Sequence, residues 1–341
     1  MLLVHYTTPL LNAKFQRATV QSFTQSVDSL LPIQRALILP IASSISIHRM
    51  SRLRASVYVA PPIPFPLPKG RTGTWSPISS TLIIGKQEAL LVDTPITISQ
   101  NEQLADWIEA ELRPEVSTAP SKRLSTLYIT HGHFDHWAGM ELLRKRFPGL
   151  KVLATAGTIQ HIKDSLEPKA FQYWNTLFVG QVEKISSFLM SYPLAANSSL
   201  KVELRAIEVG HSDTYNTTVL WVPTIKLAVC GDVVYGNVHQ MLAAAKTKEL
   251  REEWLRAVEK IESLGPELVV PGHKEAHEVD WAFHLANTKE YIRQFGSLVE
   301  DGSCKNAKEL LGAILKVYPT RFSEGALLAG CVAAFPTKAK M

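Results

Sequence analysis

Three histidines and one aspartate lie within six consecutive positions of this 341-residue chain, which has 11 histidines in all. The segment reads THGHFDHWAG and contains His131, His133, Asp135 and His136. His131 and His133 are two positions apart, so in an extended segment their side chains point the same way. Asp135 and His136 follow where the chain turns, and they can face a different point. Because imidazole and carboxylate groups bind zinc-like ions, this arrangement favours two adjacent metal ions over one.

Three later loops could complete such a metal centre. Each places an imidazole or a carboxylate shortly after a predicted strand, with a glycine immediately before it that lets the backbone turn sharply. The segments are GHSDT with His211, CGDVVY with Asp232 and PGHKE with His273. The seven side chains together predict a site for two divalent metal ions, with zinc as the expected metal. The other histidines are predicted to be ordinary core or surface residues: His5, His48, His161, His239, His277 and His284.

A pair of metal ions predicts a hydrolytic reaction. Two divalent ions about 3.5–4 Å apart can share an activated water molecule and polarise a carbonyl. Water activated in this way attacks an ester-like or amide-like carbonyl at neutral pH, so no serine or cysteine nucleophile is needed. Asp135 could also transfer the proton that an amine or alkoxide leaving group requires.

Short apolar runs bounded by turn residues predict the strands that position these loops. They are STLIIG (80–85), ALLVD (89–93), STLYIT (125–130), KVLAT (151–155), KVELRAIEV (201–209), TTVLWV (217–222), KLAVC (226–230) and ELVV (267–270). Helices are predicted over 101–112, 140–147, 158–166 and 249–264, and most of the chain after residue 270 is predicted to be helical. Because strands and helices alternate throughout, the sequence predicts an α/β sandwich.

The H-x-H-x-D-H run, the later GH and GD pairs and the final PGH resemble the metallo-β-lactamase superfamily, and their spacing resembles its lactonase-like branch. The resemblance covers about residues 78–295. It implies an αββα sandwich with the metals at one edge of two sheets.

The resemblance also implies how the ligands divide. One metal would be held by His131, His133 and His211. The second would be held by Asp135, His136 and His273, and Asp232 would bridge the two.

Asp93 at the end of ALLVD matches an early aspartate that supports the metal loop in this family. The chain departs from the family pattern nearby, because Pro95 stands where a glycine is usual. The segment HSDTYNTT (211–218) also differs from the usual run of small residues. These departures concern loop geometry rather than metal binding.

Tyr235 follows the predicted bridging aspartate by three positions and resembles the tyrosine that lactone-opening members direct at the substrate. Its phenol could donate a hydrogen bond to the oxyanion or to the leaving atom. Asp135 and Tyr235 are therefore the predicted catalytic residues.

Residues 167–199 form an aromatic-rich insertion, predicted to be either a helical pair packed on the core or a hydrophobic lid over the site. Its rings are Phe171, Tyr173, Trp174, Phe178, Phe188 and Tyr192. The absence of an obvious charged anchor favours a small, neutral, ring-containing substrate. The chain is similar to fungal metallo-β-lactamase-type γ-lactamases, which implies opening of a cyclic amide, carbamate or lactone such as a plant benzoxazolinone. Such an enzyme would serve xenobiotic detoxification or secondary metabolism.

Other functions of the same superfamily remain open at this point. A glyoxalase-type thioesterase would use the same two metals, and it would need basic residues such as Lys201 or Lys274 for the glutathione carboxylates. A nuclease is disfavoured because the chain has no basic stripe interleaved with aromatic residues. A mono-iron sulfur dioxygenase is disfavoured because all seven dinuclear ligands are present. A non-enzymatic binding module would be expected to have lost at least one of them.

The net charge of +5 comes entirely from the first 60 residues, and 30 basic and 30 acidic residues remain in 61–341. A neutral body gives no support to a nucleic-acid partner. No run of about 18 apolar residues suggests a membrane span. Three widely spaced cysteines indicate a reducing compartment, and the cytoplasm is the expected location.

The domain organisation predicted from the sequence has three parts. Residues 1–60 form a basic, flexible extension that either directs the chain to mitochondria or is dispensable. Residues 61–77 form a proline-rich linker. Residues 78–341 form the hydrolase domain.

Overall fold

Twelve strands and eight α-helices occur in the part of the chain that the structure describes. The structure is a computed structural model that describes residues 5–6, 53–66, 70, 72–114, 121–183, 185 and 202–335. The strands are β1 (His5–Tyr6), β2 (Arg54–Ala60), β3 (Ile63–Pro66), β4 (Thr72–Trp75), β5 (Ile78–Ile84), β6 (Glu88–Val92), β7 (Arg123–Tyr128), β8 (Lys151–Leu153), β9 (Arg205–Gly210), β10 (Thr217–Val222), β11 (Leu227–Val229) and β12 (Leu268–Val270).

The helices alternate with the strands in the first two thirds of the chain and dominate the last third, as the sequence predicts. They are α1 (Ile98–Leu112), α2 (Met140–Arg146), α3 (Ala156–Ser165), α4 (Pro168–Leu177), α5 (Lys248–Glu262), α6 (Phe283–Glu300), α7 (Ala307–Val317) and α8 (Glu324–Ala334). The start of α1 is fixed by a capping box, in which the Thr97 hydroxyl accepts from Gln100 N and the Gln100 side chain accepts from Thr97 N.

Two sheets form the centre of the fold. The first has the strand order β1-β2-β5-β6-β7-β8, and the second has the order β12-β11-β10-β9. In the first sheet β6, β7 and β8 run parallel, so the loops that leave β6 and β7 emerge at the same edge. In the second sheet β11 and β12 are also parallel. These are the strands from which most of the predicted metal ligands follow.

Alternate residues of each strand face different layers, as the pleat of a β-strand requires. In β6, Leu90 packs between the two sheets, whereas Leu91 packs beneath the helices that cover the first sheet. In β10, Leu220 lies between the sheets and Val219 faces the helices of the second. The fold therefore has four layers in the order helices, sheet, sheet, helices, and an apolar cluster fills each of the three interfaces between them. The molecule is an αββα sandwich, which confirms the predicted fold class.

The sequence predicts that Arg54–Ala60 belongs to the N-terminal extension, but the structure places it in the first sheet. It pairs antiparallel with β5 along its whole length, and most of its side chains are buried. The apolar run VYVA within it packs on both faces of the sheet. Among residues 1–52 only 5–6 are described, so the predicted targeting role of the extension stays a prediction.

The proline-rich segment predicted as a linker contains a β-hairpin. Its strands β3 and β4 pair antiparallel from Ile63↔Trp75 to Pro66↔Thr72, apart from the main sheets. Prolines are compatible with such an isolated two-stranded ribbon, because the missing N–H can face outward. Phe65 and Trp75 of the hairpin pack against the apolar layer beneath the first set of helices.

The aromatic insertion begins with α4, which packs on the core as the simpler of the two sequence interpretations expects. Phe171 and Trp174 contact the apolar layer beneath the helices, and Phe178 is fully buried. Tyr173 remains exposed. Phe188 and Tyr192 lie outside the described residues, so a lid formed by the later part of the insertion stays a prediction.

None of the helices in the described segments has both the length and the apolar character required to cross a bilayer.

Candidate metal centre

Asp93, at the end of β6, holds the H-x-H-x-D-H loop in position. Its Oδ1 accepts a hydrogen bond from Thr130 N (2.9 Å), and its Oδ2 accepts one from the Thr130 hydroxyl (2.7 Å). The same Oδ2 lies 3.0 Å from His136 Nδ1. Asp93 has φ 59°, a left-handed conformation that costs a non-glycine residue on the order of 1 kcal/mol. These contacts orient His136, which is the kind of support that the family resemblance implied for Asp93.

Asp135, His136 and His273 form one group of potential ligands, with one ligand atom from each lying within 4.8 Å of the others. His273 Nε2 is 3.6 Å from Asp135 Oδ2. Asp232 lies beside this group, because its Oδ1 is 3.2 Å from His136 Nε2 and its Oδ2 is 3.3 Å from His273 Nε2. The three residues predicted for the second metal are therefore together in space.

A second group consists of His131, His133, Asp213 and Asp232. His133 Nδ1 lies 2.8 Å from Asp213 Oδ2, and His131 Nε2 lies 4.0 Å from the same oxygen. Asp232 is common to this group and to the contacts of the first. It therefore lies between the two sets of ligands, where a bridging carboxylate would have to be.

His211 is the one member of the predicted seven that joins no ligand group within the described chain, and Asp213 occupies the place expected for it. The loop after β9 turns at Gly210, which has φ 88°, and closes with a hydrogen bond from Ser212 N to Thr214 O (2.8 Å). This turn buries Asp213 and leaves His211 half-buried. Sequence reasoning missed Asp213, although an acid two positions after the histidine was a visible signal.

Two glycines allow the loops after β11 and β12 to meet. A Cβ on Gly272 would lie 2.2 Å from Asp232 Oδ1 and 2.6 Å from the carbonyl carbon of Gly231. Gly231 has φ 49°, and a Cβ there would lie 2.4 Å from the Thr130 hydroxyl oxygen. Any side chain at either position would push the loops apart. The glycines that the sequence places before Asp232 and His273 are thus required by this close approach.

Three imidazoles are held through Nδ1 so that Nε2 faces the cluster. His273 Nδ1 donates to Pro77 O at 2.8 Å. His131 Nδ1 lies 3.0 Å from the Thr130 hydroxyl, and His136 is held through the same ring atom by its aspartate. Partners of this kind set the tautomer and orientation of metal-binding histidines in proteins.

Among the predicted ligands and Asp213, five ligand-type atoms are buried and make no hydrogen bond within the described residues: His131 Nε2, His136 Nε2, His211 Nδ1, Asp213 Oδ2 and Asp232 Oδ1. Buried polar atoms in proteins are nearly always satisfied, and each unsatisfied one needs an explanation. Nitrogen and carboxylate oxygen atoms converging in this way are a suitable donor set for divalent cations. The residues present therefore fit a metal centre.

The imidazoles and carboxylates of the cluster shift one another's pKa values. Burial opposes protonation of His136, but the carboxylates of Asp232 and Asp135 outweigh it and hold the pKa of that imidazole well above its ordinary value. Burial also opposes ionisation of Asp232, but His273 and His136 keep its pKa well below the usual range. For His131, burial and the neighbouring His136 hold the pKa well below the ordinary value. A divalent cation would displace imidazole protons, so its binding should strengthen as the pH rises.

The two predicted catalytic residues have protein partners. The buried Tyr235 hydroxyl donates to Asp232 Oδ2 at 2.7 Å, and its ring stacks on His273. The phenol therefore faces the predicted bridging carboxylate, and its predicted contact with a substrate stays a prediction. Asp135 Oδ2 accepts a hydrogen bond from Trp75 Nε1 at 3.1 Å. No signal in the sequence pointed to Trp75.

Among the clustered ligands, His133 offers the most accessible side chain. It is 31% exposed, whereas the side chains of His131 and Asp213 are fully buried. Next to it lies His161, with the centroids of the two rings 5.6 Å apart. The His161 ring also stacks on that of Tyr215, with centroids 4.2 Å apart. Tyr215 is 44% exposed. His161, predicted to be an ordinary residue, therefore lies beside the opening of the cluster.

A second set of rings lies near Asp135. Trp75 contacts Trp174 of α4 with ring centroids 5.1 Å apart, and it contacts Phe178 at 5.8 Å. The hairpin and the insertion thus meet at the side of the cluster that holds Asp135.

A family model described as the metallo-beta-lactamase superfamily matches residues 73–273, which is more than half of the chain. The chain belongs to the metallo-β-lactamase superfamily. The members of this superfamily are metal-dependent hydrolases that typically use zinc, and the His/Asp groups described above lie within the matched region.

Among similar proteins in the superfamily are two curated relatives named metallo-beta-lactamase type 2. The one from Bacteroides fragilis is 22% identical over 221 residues, covering 64% of this chain and 76% of the relative. The one from Bacillus cereus is 24% identical over 211 residues, covering 60% and 71%. The crystal structure of metallo-beta-lactamase IND-7 matches with a TM-score of 0.48 and 20% identity, covering 70% of this chain and 98% of that one.

Proposed function

We propose that this superfamily hydrolase uses two divalent metal ions, zinc by preference, to open a cyclic amide, carbamate or ester. The observation that carries the proposal is that Asp232 belongs to one ligand group and also contacts His136 and His273 of the adjacent group. His131 and His133 lie on one side of it, and His136 and His273 lie on the other. Ions bound at these groups would supply Lewis acidity, which polarises a carbonyl and activates water at neutral pH.

Asp135 is the residue that we assign to proton transfer. Its Oδ2 lies 3.6 Å from His273 Nε2 and accepts the Trp75 indole N–H, so the carboxylate has a fixed orientation at the cluster. A carboxylate held there can return a proton to the amine or alkoxide that leaves when the ring opens. Tyr235 acts as a positioning residue, because its hydroxyl is directed at Asp232.

Two aromatic surfaces support a neutral, ring-containing substrate. The exposed Tyr215 ring stacked on His161 lies beside His133, and the Trp75–Trp174 pair lies beside Asp135. Such surfaces bind planar, uncharged groups by stacking and apolar contact. Together with the resemblance to the lactonase-like branch and to fungal γ-lactamases, they favour γ-lactams, benzoxazolinones and lactones. That chemistry would serve detoxification or secondary metabolism. The proposed location is the cytoplasm, because the three cysteines are free, and mitochondria are the alternative.

The glyoxalase-type thioesterase is the second candidate. One of the two lysines expected to bind the glutathione carboxylates already has partners within the protein. Lys274 is fully buried, with its Nζ 2.9 Å from Asp280 Oδ1 and donating to Glu278 O at 2.7 Å. It is therefore not free to bind a glutathione carboxylate. Lys201, the other candidate anchor, lies outside the described residues.

The test is a substrate panel assayed on purified protein whose metal content is measured by elemental analysis. The panel contains γ-lactams, benzoxazolinones, lactones and an acyl-glutathione, each with and without added zinc. We expect ring opening that depends on metal and is lost in Asp232→Ala, while Asp106→Ala, a change at an exposed carboxylate, keeps wild-type rates. Faster turnover of the acyl-glutathione than of any ring would favour the thioesterase, and activity without metal would refute both.

A further inference from the structure

Asp213 has the position of a metal ligand. Its side chain is fully buried, and its Oδ2 points at the nitrogens of the H-x-H pair, 2.8 Å from His133 Nδ1 and 4.0 Å from His131 Nε2. An imidazole nitrogen and a carboxylate oxygen that face each other in this way inside the fold form a donor pair suited to a divalent cation.

The other oxygen of Asp213 is held by a short chain of hydroxyl groups. The Ser212 hydroxyl donates to Asp213 Oδ1 at 3.0 Å and lies 3.0 Å from the Thr217 hydroxyl. The Thr217 hydroxyl in turn donates to Thr214 O at 3.1 Å. One carboxylate oxygen is thus fixed by the loop, so the other is directed into the cluster, as in protein sites where outer partners orient a metal ligand.

His211 differs from Asp213 in its place relative to the cluster, although its Nδ1 is also buried and makes no hydrogen bond within the described residues. It is half-buried, and none of its nitrogens joins the group formed by the H-x-H pair and the two aspartates. The turn at Gly210 and the hydrogen bond from Ser212 N to Thr214 O bury Ser212 and Asp213, whereas His211 stays half-buried.

We infer that Asp213, in place of His211, is the third protein ligand of the metal position formed by His131 and His133. This inference rests on the proposed two-metal function and specifies its ligands. It changes the donor set from three imidazoles to two imidazoles and a carboxylate, with Asp232 shared. A harder, more negative donor set binds Mn²⁺ and Fe²⁺ better relative to Zn²⁺ than three imidazoles do.

The test compares Asp213→Asn with His211→Gln, two changes that remove a ligand group and keep its approximate size. Metal-free protein is dialysed against buffered Zn²⁺ alone, and bound zinc is counted by elemental analysis. Affinity is measured by competition with a chromophoric chelator. We expect wild type and His211→Gln to hold two zinc ions, and Asp213→Asn to hold one. Loss of a direct ligand should weaken the second ion by more than about 100-fold, since changes to outer partners alone cost 10–100-fold.

Ser212→Ala provides a second variant that leaves both candidate ligands in place. Because it frees Asp213 Oδ1, we expect two zinc ions with the weaker one bound about tenfold less tightly. Thermal unfolding of each metal-free variant shows whether the fold is kept. Two tightly bound ions in Asp213→Asn, or loss of an ion in His211→Gln, would overturn the inference. Fewer than two ions in the wild type would instead refute the proposed two-metal function.

Discussion

The Tyr235 hydroxyl lies 2.7 Å from Asp232 Oδ2, and both residues are buried. Burial and the adjacent Asp232 carboxylate hold the pKa of the Tyr235 phenol well above its ordinary value, so it stays protonated and acts as a donor. The bond fixes the oxygen of Asp232 that faces His273, while the other oxygen faces His136. Tyr235 thereby orients the carboxylate that lies between the two ligand groups.

Tyr235→Phe is expected to keep two metal sites but to weaken them. Removing the donor leaves Asp232 free to rotate, and loss of such an outer partner typically lowers metal affinity about 10-fold or more. Chelator competition measures the change. Tyr128→Phe is the matched control, because it removes a buried hydroxyl contact of the same length, 2.7 Å, that is made to the Thr218 hydroxyl and not to Asp232. Equal zinc affinity in wild type and Tyr235→Phe would show that the phenol does not position the carboxylate.

Asp93→Asn is expected to destabilise the metal-free protein by about 1–3 kcal/mol. Asparagine tolerates the left-handed backbone at this position. Its single acceptor oxygen cannot satisfy the Thr130 N–H, the Thr130 hydroxyl and His136 together. Urea denaturation in the presence of a chelator gives the difference in unfolding free energy, with the exposed Asp106→Asn as control. A variant as stable as wild type would contradict the support that we assign to Asp93.

The fold could be predicted largely from apolar patterning. The run TTVLWV predicts a strand over 217–222, and the structure has β10 at Thr217–Val222, because a short uncharged run rich in β-branched and aromatic residues suits a strand that is buried on both faces. The hairpin over Ile63–Trp75 was missed because prolines indicate an extended linker, and nothing local reveals pairing in a ribbon. The strand Arg54–Ala60 was not predicted, because its apolar run is only four residues long and lies at the end of a basic segment.

The candidate site was also predictable in its main outline. Glycines before Asp232 and His273 mark places where strand ends must approach closely, and the structure shows that approach. The choice between His211 and Asp213 depends on the direction of one turn, which residue types alone do not determine. Trp75 lies 60 positions from Asp135, so their contact exists only in the folded chain.

Trp75→Phe is expected to lower turnover about 10-fold on ring substrates. Phenylalanine keeps an aromatic ring against Trp174 but removes the N–H that holds Asp135 Oδ2. If Asp135 transfers the proton to the leaving group, kcat should fall more than KM rises. Steady-state kinetics on a γ-lactam or lactone measures both. Trp174→Phe serves as control for the loss of indole packing, and an equal effect of the two changes would exclude a positioning role for the Trp75 N–H.

His239 is expected to make stability depend on pH in a way that is independent of metal. It is fully buried, and its Nδ1 lies 2.8 Å from the Tyr291 hydroxyl. Burial, with a smaller contribution from Arg321, lowers the pKa of His239 to about 4. In the unfolded chain the imidazole has a pKa of about 6.5, so between these values the unfolded state binds more protons. The free energy of unfolding should therefore fall as the pH falls from about 6.5 to about 4.

The size of this effect is at most about 3 kcal/mol, which corresponds to the difference between the two pKa values. Urea denaturation at several pH values between 4 and 7, with a chelator present, measures it. In His239→Gln this part of the pH dependence should vanish, because glutamine does not titrate. His277→Gln, which replaces an exposed histidine in the same way, is the matched control for the substitution itself. If wild type and His239→Gln lose stability in parallel as the pH falls, another group must bind the proton, and the buried His239 is not kept neutral by the fold.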